Sequence, residues 1–204
     1  MERIPRRTPG GFTLVEILVV LAILSALMAM VASAVSRAPA AKNRLVCTNN
    51  LRQLGALFLE AQLERGVRPI QGPGWLLQFL AAGAVKEGDE RVFLCPNDPA
   101  WEASGRPGSA ERYRGIDLAR PPADLCSYVV RDWKLHPLRP DSRRKEPLAA
   151  CLHHADGAAV LYADGTVLFL AREALGLGPG DPIEAGPRSP AEALRVFPVT
   201  GGAR

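Results

Sequence analysis

The 204-residue sequence is short of the side chains that catalysis uses most. It has three histidines, and it contains no nucleophile–base–acid arrangement, phosphate loop or dinucleotide motif. These absences argue against an enzyme. Charge of one sign is also scarce, at a formal net +4. Glu2, Arg3, Arg6 and Arg7 lie in the first eleven residues and carry a net +2, so losing that stretch leaves +2. A charge this small does not point to nucleic acid as a main partner. Glycine and proline, by contrast, are plentiful, at 19 and 18 residues. They cluster between apolar runs and near the C-terminus, the pattern of a loop-rich globular part.

The N-terminus has its own logic. Residues 1–11 read MERIPRRTPGG, a basic, non-helical stretch ending in a glycine pair. From Phe12 to Val35 follows FTLVEILVVLAILSALMAMVASAV. About 20 residues at about 1.5 Å each cross a bilayer of about 30 Å, so this run is long enough to span one. Basic residues before it and none inside it orient the N-terminus to the cytoplasm. A secretory signal would place its cut site after the apolar run, whereas here the Gly-Gly pair precedes it. Glu16 is the one charged residue among apolar neighbours, and a carboxylate in hydrocarbon needs a partner. No basic residue lies in the run, so the natural partner is a new α-amino group at Phe12. A plain single-pass anchor with a snorkelling interfacial glutamate is the simpler alternative.

Gly11-Phe12-Thr13-Leu14-Val15-Glu16 and the apolar helix behind it resemble the cleavage and methylation motif of type IV prepilins and type II secretion pseudopilins. The resemblance implies cutting between Gly11 and Phe12 by a membrane-embedded prepilin peptidase and N-methylation of Phe12. It also implies that Glu16 neutralises the Phe12 amine of a neighbouring subunit in a filament. The implied partners are the peptidase, other pilin or pseudopilin subunits, an inner-membrane assembly platform and the lipid bilayer. The implied location is the bacterial inner membrane, single-pass with a periplasmic head, and then the filament.

Beyond Pro39, which is expected to kink or interrupt the helix, the pattern turns amphipathic. Cys47, Leu51, Leu54, Phe58 and Ala61 recur at helical spacing up to Glu64, with Gly66 as the stop. In the head, a short helix is expected over Trp75–Ala84 and strands over Arg91–Cys95 and Cys126–Arg131. Residues 100–122 read as loop, and Leu138–Pro147 as a solvated basic loop carrying Arg139, Arg143, Arg144 and Lys145. Two β-favouring runs, Ala158–Tyr162 and Thr166–Leu170, flank Ala163-Asp164-Gly165 and predict a hairpin. After Leu175 a Gly/Pro-rich tail is expected, with a short helix from the Ser189-Pro190-Ala191-Glu192 capping pattern toward Val196.

Three stretches of the head side resemble a planctomycete-type pilin-like subfamily: Cys47-Thr48-Asn49-Asn50-Leu51-Arg52-Gln53-Leu54-Gly55, Phe93-Leu94-Cys95-Pro96-Asn97-Asp98, and His154 preceding Asp164-Gly165. Thr166 and Ala159 stand where that subfamily often has His and Asn.

The four cysteines, Cys47, Cys95, Cys126 and Cys151, all follow the apolar run. A location outside the cytoplasm permits two disulfides among them, in three connectivities; the alternative is buried thiols acting as small apolar residues. Cys151, His153, His154, Asp156 and Asp164, with Cys95 and Cys126 as further donors, match no common zinc spacing, and Asp156, Asp164, Asp181 and Glu184 are too scattered for calcium. The sequence therefore assigns neither metal nor cofactor.

The expected fold is α+β and pilin-like. Residues 1–11 form the leader, 12–36 the membrane or filament-core helix, 37–66 its amphipathic half, 67–175 a small antiparallel-sheet head and 176–204 the tail. The expected function is a structural subunit of a type II secretion pseudopilus or type IV pilus. The rival is a tethered periplasmic binding protein or hydrolase that never polymerises.

Overall fold

A computed structural model describes residues 12–65, 72–86, 88–104, 109–138 and 146–198. Gly11, Gly66 and the basic loop residues Arg139, Arg143, Arg144 and Lys145 lie outside them. The chain divides into two compact units, Met1–Ala41 and Lys42–Arg204, and the division falls inside the first helix, α1 (Leu14–Arg65). The helix continues through Pro39 instead of breaking there. A proline removes one backbone donor, and in a 52-residue helix the turns on either side carry the structure past it.

In the first unit α1 is predominantly apolar, with Glu16 in its first turn. The window Leu14–Val31 is long and apolar enough to cross a membrane, and none of it is buried within the protein. The Ser25 hydroxyl donates to the Leu21 carbonyl at 2.7 Å, which satisfies that donor within the helix.

In the second unit the same helix is amphipathic, and its stripe is what the sequence predicts. Cys47, Leu51, Leu54 and Phe58 are buried in the main core, with Ala61 packed at its edge. The stripe packs with a four-stranded antiparallel sheet in the order β1 (Tyr128–Val130), β2 (Pro147–His154), β3 (Gly157–Tyr162), β4 (Val167–Ala171). The fold is thus α+β, an apolar N-terminal helix with an antiparallel sheet. Gly55 permits the close approach: a Cβ there would lie 2.6 Å from a Leu161 methyl and 3.4 Å from the Gly165 backbone. A second core covers the other sheet face, where Ala158 and Val160 of β3 meet Leu175, Leu194 and Phe197. The Gly/Pro-rich segment after Leu175 therefore folds back as a loop with a 3₁₀ turn at Glu192–Leu194 and buries Phe197.

Several local expectations change. Helix α2 (Gly74–Ala81) lies where the Trp75–Ala84 helix is expected. The strand expected over Arg91–Cys95 is instead a 3₁₀ helix, Glu90–Phe93, leading into Cys95. Val92 through Cys95 are all buried, and the turn is tied to α1, whose Asn50 Nδ2 donates to the carbonyls of Arg91 (3.2 Å) and Leu94 (3.1 Å). The stretch expected as loop holds α3 (Pro99–Ser104) and a 3₁₀ helix, Ser109–Tyr113. The strand expected over Cys126–Arg131 is the shorter β1.

The hairpin at Asp164-Gly165 is present, with a turn differing from a two-residue one. Gly165 N–H donates to Tyr162 O at 2.9 Å and Tyr162 N–H to Thr166 O at 2.8 Å, leaving three loop residues of which Gly165 alone has positive φ. Asp164 Oδ1 accepts from the Thr166 N–H (3.0 Å) and hydroxyl (2.7 Å), which gives Thr166 a turn-closing role. A second hairpin precedes it, β2–β3, through Ala155-Asp156.

Candidate functional site

Two places concentrate chemistry. The first is the start of α1. Glu16 Oε2 accepts from the Thr13 N–H and from the Thr13 hydroxyl, both at 2.8 Å, and Thr13 Oγ1 accepts the Glu16 N–H at 3.3 Å. This reciprocal pair is a capping box, which satisfies donors that a helix start otherwise leaves unmet. The Thr13-x-x-Glu16 spacing carries the signal for it, and the charge argument for Glu16 leaves that role out. Phe12 precedes the helix and is exposed.

The second place is buried in the head. Cys47 of α1, Cys95 after the 3₁₀ turn, and Cys151 and His154 of β2 bring one ligand atom each to within 4.8 Å of one another. The three cysteines are fully buried and His154 is 3 % exposed. His154 Nε2 lies 3.6 Å from Cys95 Sγ, and its Nδ1 lies 3.1 Å from Asn97 Nδ2. Cys95 Sγ also accepts the Asn97 N–H at 3.4 Å, and the Cys95 N–H donates to Ser127 Oγ at 2.9 Å. The ring of Phe169 stands edge-to-face with His154, and the Arg44 guanidinium lies 3.9 Å from its centroid.

A break in β2 makes this grouping possible. Residues i and i+3 of a regular strand point to opposite faces. Cys151 pairs with Ala159 and His154 with Gly157, so three steps on β2 match two on β3. That β-bulge turns both side chains to the face of α1. It also turns His153 outward, 3.4 Å from Asp98.

The cluster sets its thiols apart electrically. Hydrogen bonds from Cys151, Cys47 and His154 hold the Cys95 thiol well below the ordinary range, while burial pushes Cys151 well above it. Cys126 is not in the group; burial pushes it up to about 12. All four cysteines are free thiols in this structure, and Cys47, Cys95 and Cys151 are buried. Asp156 pairs with Arg44, and Asp164 closes its own turn, so neither joins His154.

Comparison with known proteins places one of these two sites. Residues 6–32 match the prokaryotic N-terminal methylation motif. The N-terminal segment is a prepilin-type motif. Neither the curated proteins nor the solved structures give a match to the chain. The likeness is to the prepilin type of N-terminus and covers that segment alone, and the exposed apolar helix suits a single-pass membrane anchor.

The matched stretch contains Gly11, Phe12 and Glu16, but the head cluster lies wholly beyond it. Local spacing hides that cluster, because its ligands are spread along the chain, with successive members 48, 56 and 3 residues apart in number. The available signal is the short Cys151-x-x-His154 spacing, and it becomes informative only once the bulge is known.

Proposed function

We propose that this protein is a pilin-like structural subunit that a prepilin peptidase cuts between Gly11 and Phe12 and methylates at Phe12. The observation that carries the reading is the methylation motif over residues 6–32 joined to a helix whose apolar side chains face outward through Val31. Exposed apolar surface of that extent needs lipid before assembly and neighbouring helices after it. In the filament, Glu16 neutralises the Phe12 amine of a neighbouring subunit, since opposite charges in a low-dielectric core relieve each other's desolvation. The head stays on the periplasmic side and becomes filament surface, in a type II secretion pseudopilus or a type IV pilus. The inner-membrane assembly platform and sibling subunits are its working partners, and its role is structural rather than catalytic.

Processing supplies the test. In a host carrying the peptidase, the wild-type chain is expected at the mass of residues 12–204 plus one methyl group, and Gly11→Ala at the mass of the uncut chain. Intact-mass spectrometry reads both. Normal cleavage of Gly11→Ala, or an uncut wild type, overturns the reading.

A further inference from the structure

The buried Cys47, Cys95, Cys151 and His154 all lie outside the stretch that matches the N-terminal motif. We infer that these four side chains form a closed structural site for one zinc ion, which pins α1 and the Cys95 turn to strand β2.

The donor set is the first argument. Three thiolates and one imidazole are a common complement for structural zinc, and a soft, sulfur-rich tetrahedral set disfavours calcium, magnesium and manganese. Spacing is the second. Tetrahedral zinc with Zn–S of about 2.3 Å and Zn–N of about 2.0 Å puts sulfur and nitrogen about 3.5 Å apart and sulfurs about 3.8 Å apart. Cys95 Sγ and His154 Nε2 are 3.6 Å apart, and all four atoms fall within 4.8 Å. Small inward movements therefore close the tetrahedron.

Burial is the third argument. All four donors are at most 3 % exposed, leaving no open coordination position of the kind a catalytic zinc keeps for water. The surroundings are the fourth. A zinc-bound thiolate gains from backbone donors, and Cys95 Sγ already accepts the Asn97 N–H. Asn97 also meets His154 Nδ1. A ligating His154 carries its proton on Nδ1, so loading the site requires the Asn97 amide to turn its oxygen toward the ring and to give up its present bonds to His153 O and Asn43 Nδ2. On binding, the thiol protons leave to solvent, and the site holds three thiolates, one neutral imidazole and the divalent ion.

The test uses the full chain, purified in detergent without chelator from zinc-supplemented cells. One zinc per chain is expected by elemental analysis, with an X-ray absorption shell of three sulfurs at about 2.3 Å and one nitrogen at about 2.0 Å. Exchange with cobalt(II) should give the thiolate charge-transfer and visible bands of a tetrahedral sulfur-rich site. His154→Cys, which keeps four donors, should retain the metal, while Cys95→Ser should lose it. The wild-type spectra stand even where a variant fails to fold. A disulfide among Cys47, Cys95 and Cys151 in the native chain, substoichiometric zinc, or a shell of only oxygen and nitrogen overturns the assignment.

Discussion

At the N-terminus of α1 the Glu16 carboxylate answers two demands that a substitution can separate. It caps the helix through Thr13, and in the proposed filament it also balances the amine of Phe12. Glutamine serves in a capping box as well as glutamate does, but brings no charge. Glu16→Gln is therefore expected to keep the chain inserted, helical and cleaved, yet to abolish filament recovery in sheared cell fractions. Wild-type filament yield in this variant would assign Glu16 to the cap alone. Asn50 is a second residue whose role is local. Its amide reaches the Arg91 and Leu94 carbonyls, and Leu94 O also accepts from the Tyr128 hydroxyl at 3.1 Å. Losing one partner of a buried hydrogen bond costs about 1–3 kcal/mol, so Asn50→Ala should lower the urea midpoint of the head by that equivalent without touching N-terminal processing.

At the scale of elements, what was legible in the sequence depended on unbroken periods. The α1 stripe keeps its 3.6-residue rhythm from Cys47 to Phe58, and its residues are buried where that rhythm puts them. The β3–β4 hairpin is announced by two apolar runs around Asp164-Gly165. Strand β2 hides because irregularities at Pro147/Ala149 and Cys151/His154 break the alternation by which a strand is read, and both of its faces are covered. The Glu90–Phe93 turn reads falsely as a strand because a short apolar run signals burial without fixing the backbone. What ties it down is Asn50, whose amide donates to Arg91 O from 41 positions away.

Across the whole molecule the head should weaken in alkali. Burial pushes Cys126 up to about 12 and raises Tyr113, so both stay protonated in the folded state at moderately alkaline pH. The unfolded chain releases these protons near pH 8.5 and 10 respectively. Above those values the unfolded state binds fewer protons than the folded one, and stability falls as pH rises. The contribution is intact below about pH 8.5 and is lost progressively from there to about pH 12 for Cys126. Thermal unfolding followed from pH 7 to 11 should show a falling midpoint, and Cys126→Ala should flatten the portion between pH 8.5 and 10. An unchanged slope in that variant would show that the Cys126 proton does not contribute.

The bulge in β2 has a consequence for its two adjacent histidines. They are chemically identical, and only the count of residues back to Cys151 decides which one faces inward. With the bulge, the third residue on is inside; in a regular strand it is the second. Deleting Leu152 would straighten β2 and still deliver His154 to the interior, now two steps from Cys151. Relaxing the bulge without a deletion would hand the inner place to His153. The strand thus holds a spare imidazole one register step away, and only a chain lacking both histidines is denied a ring at that position.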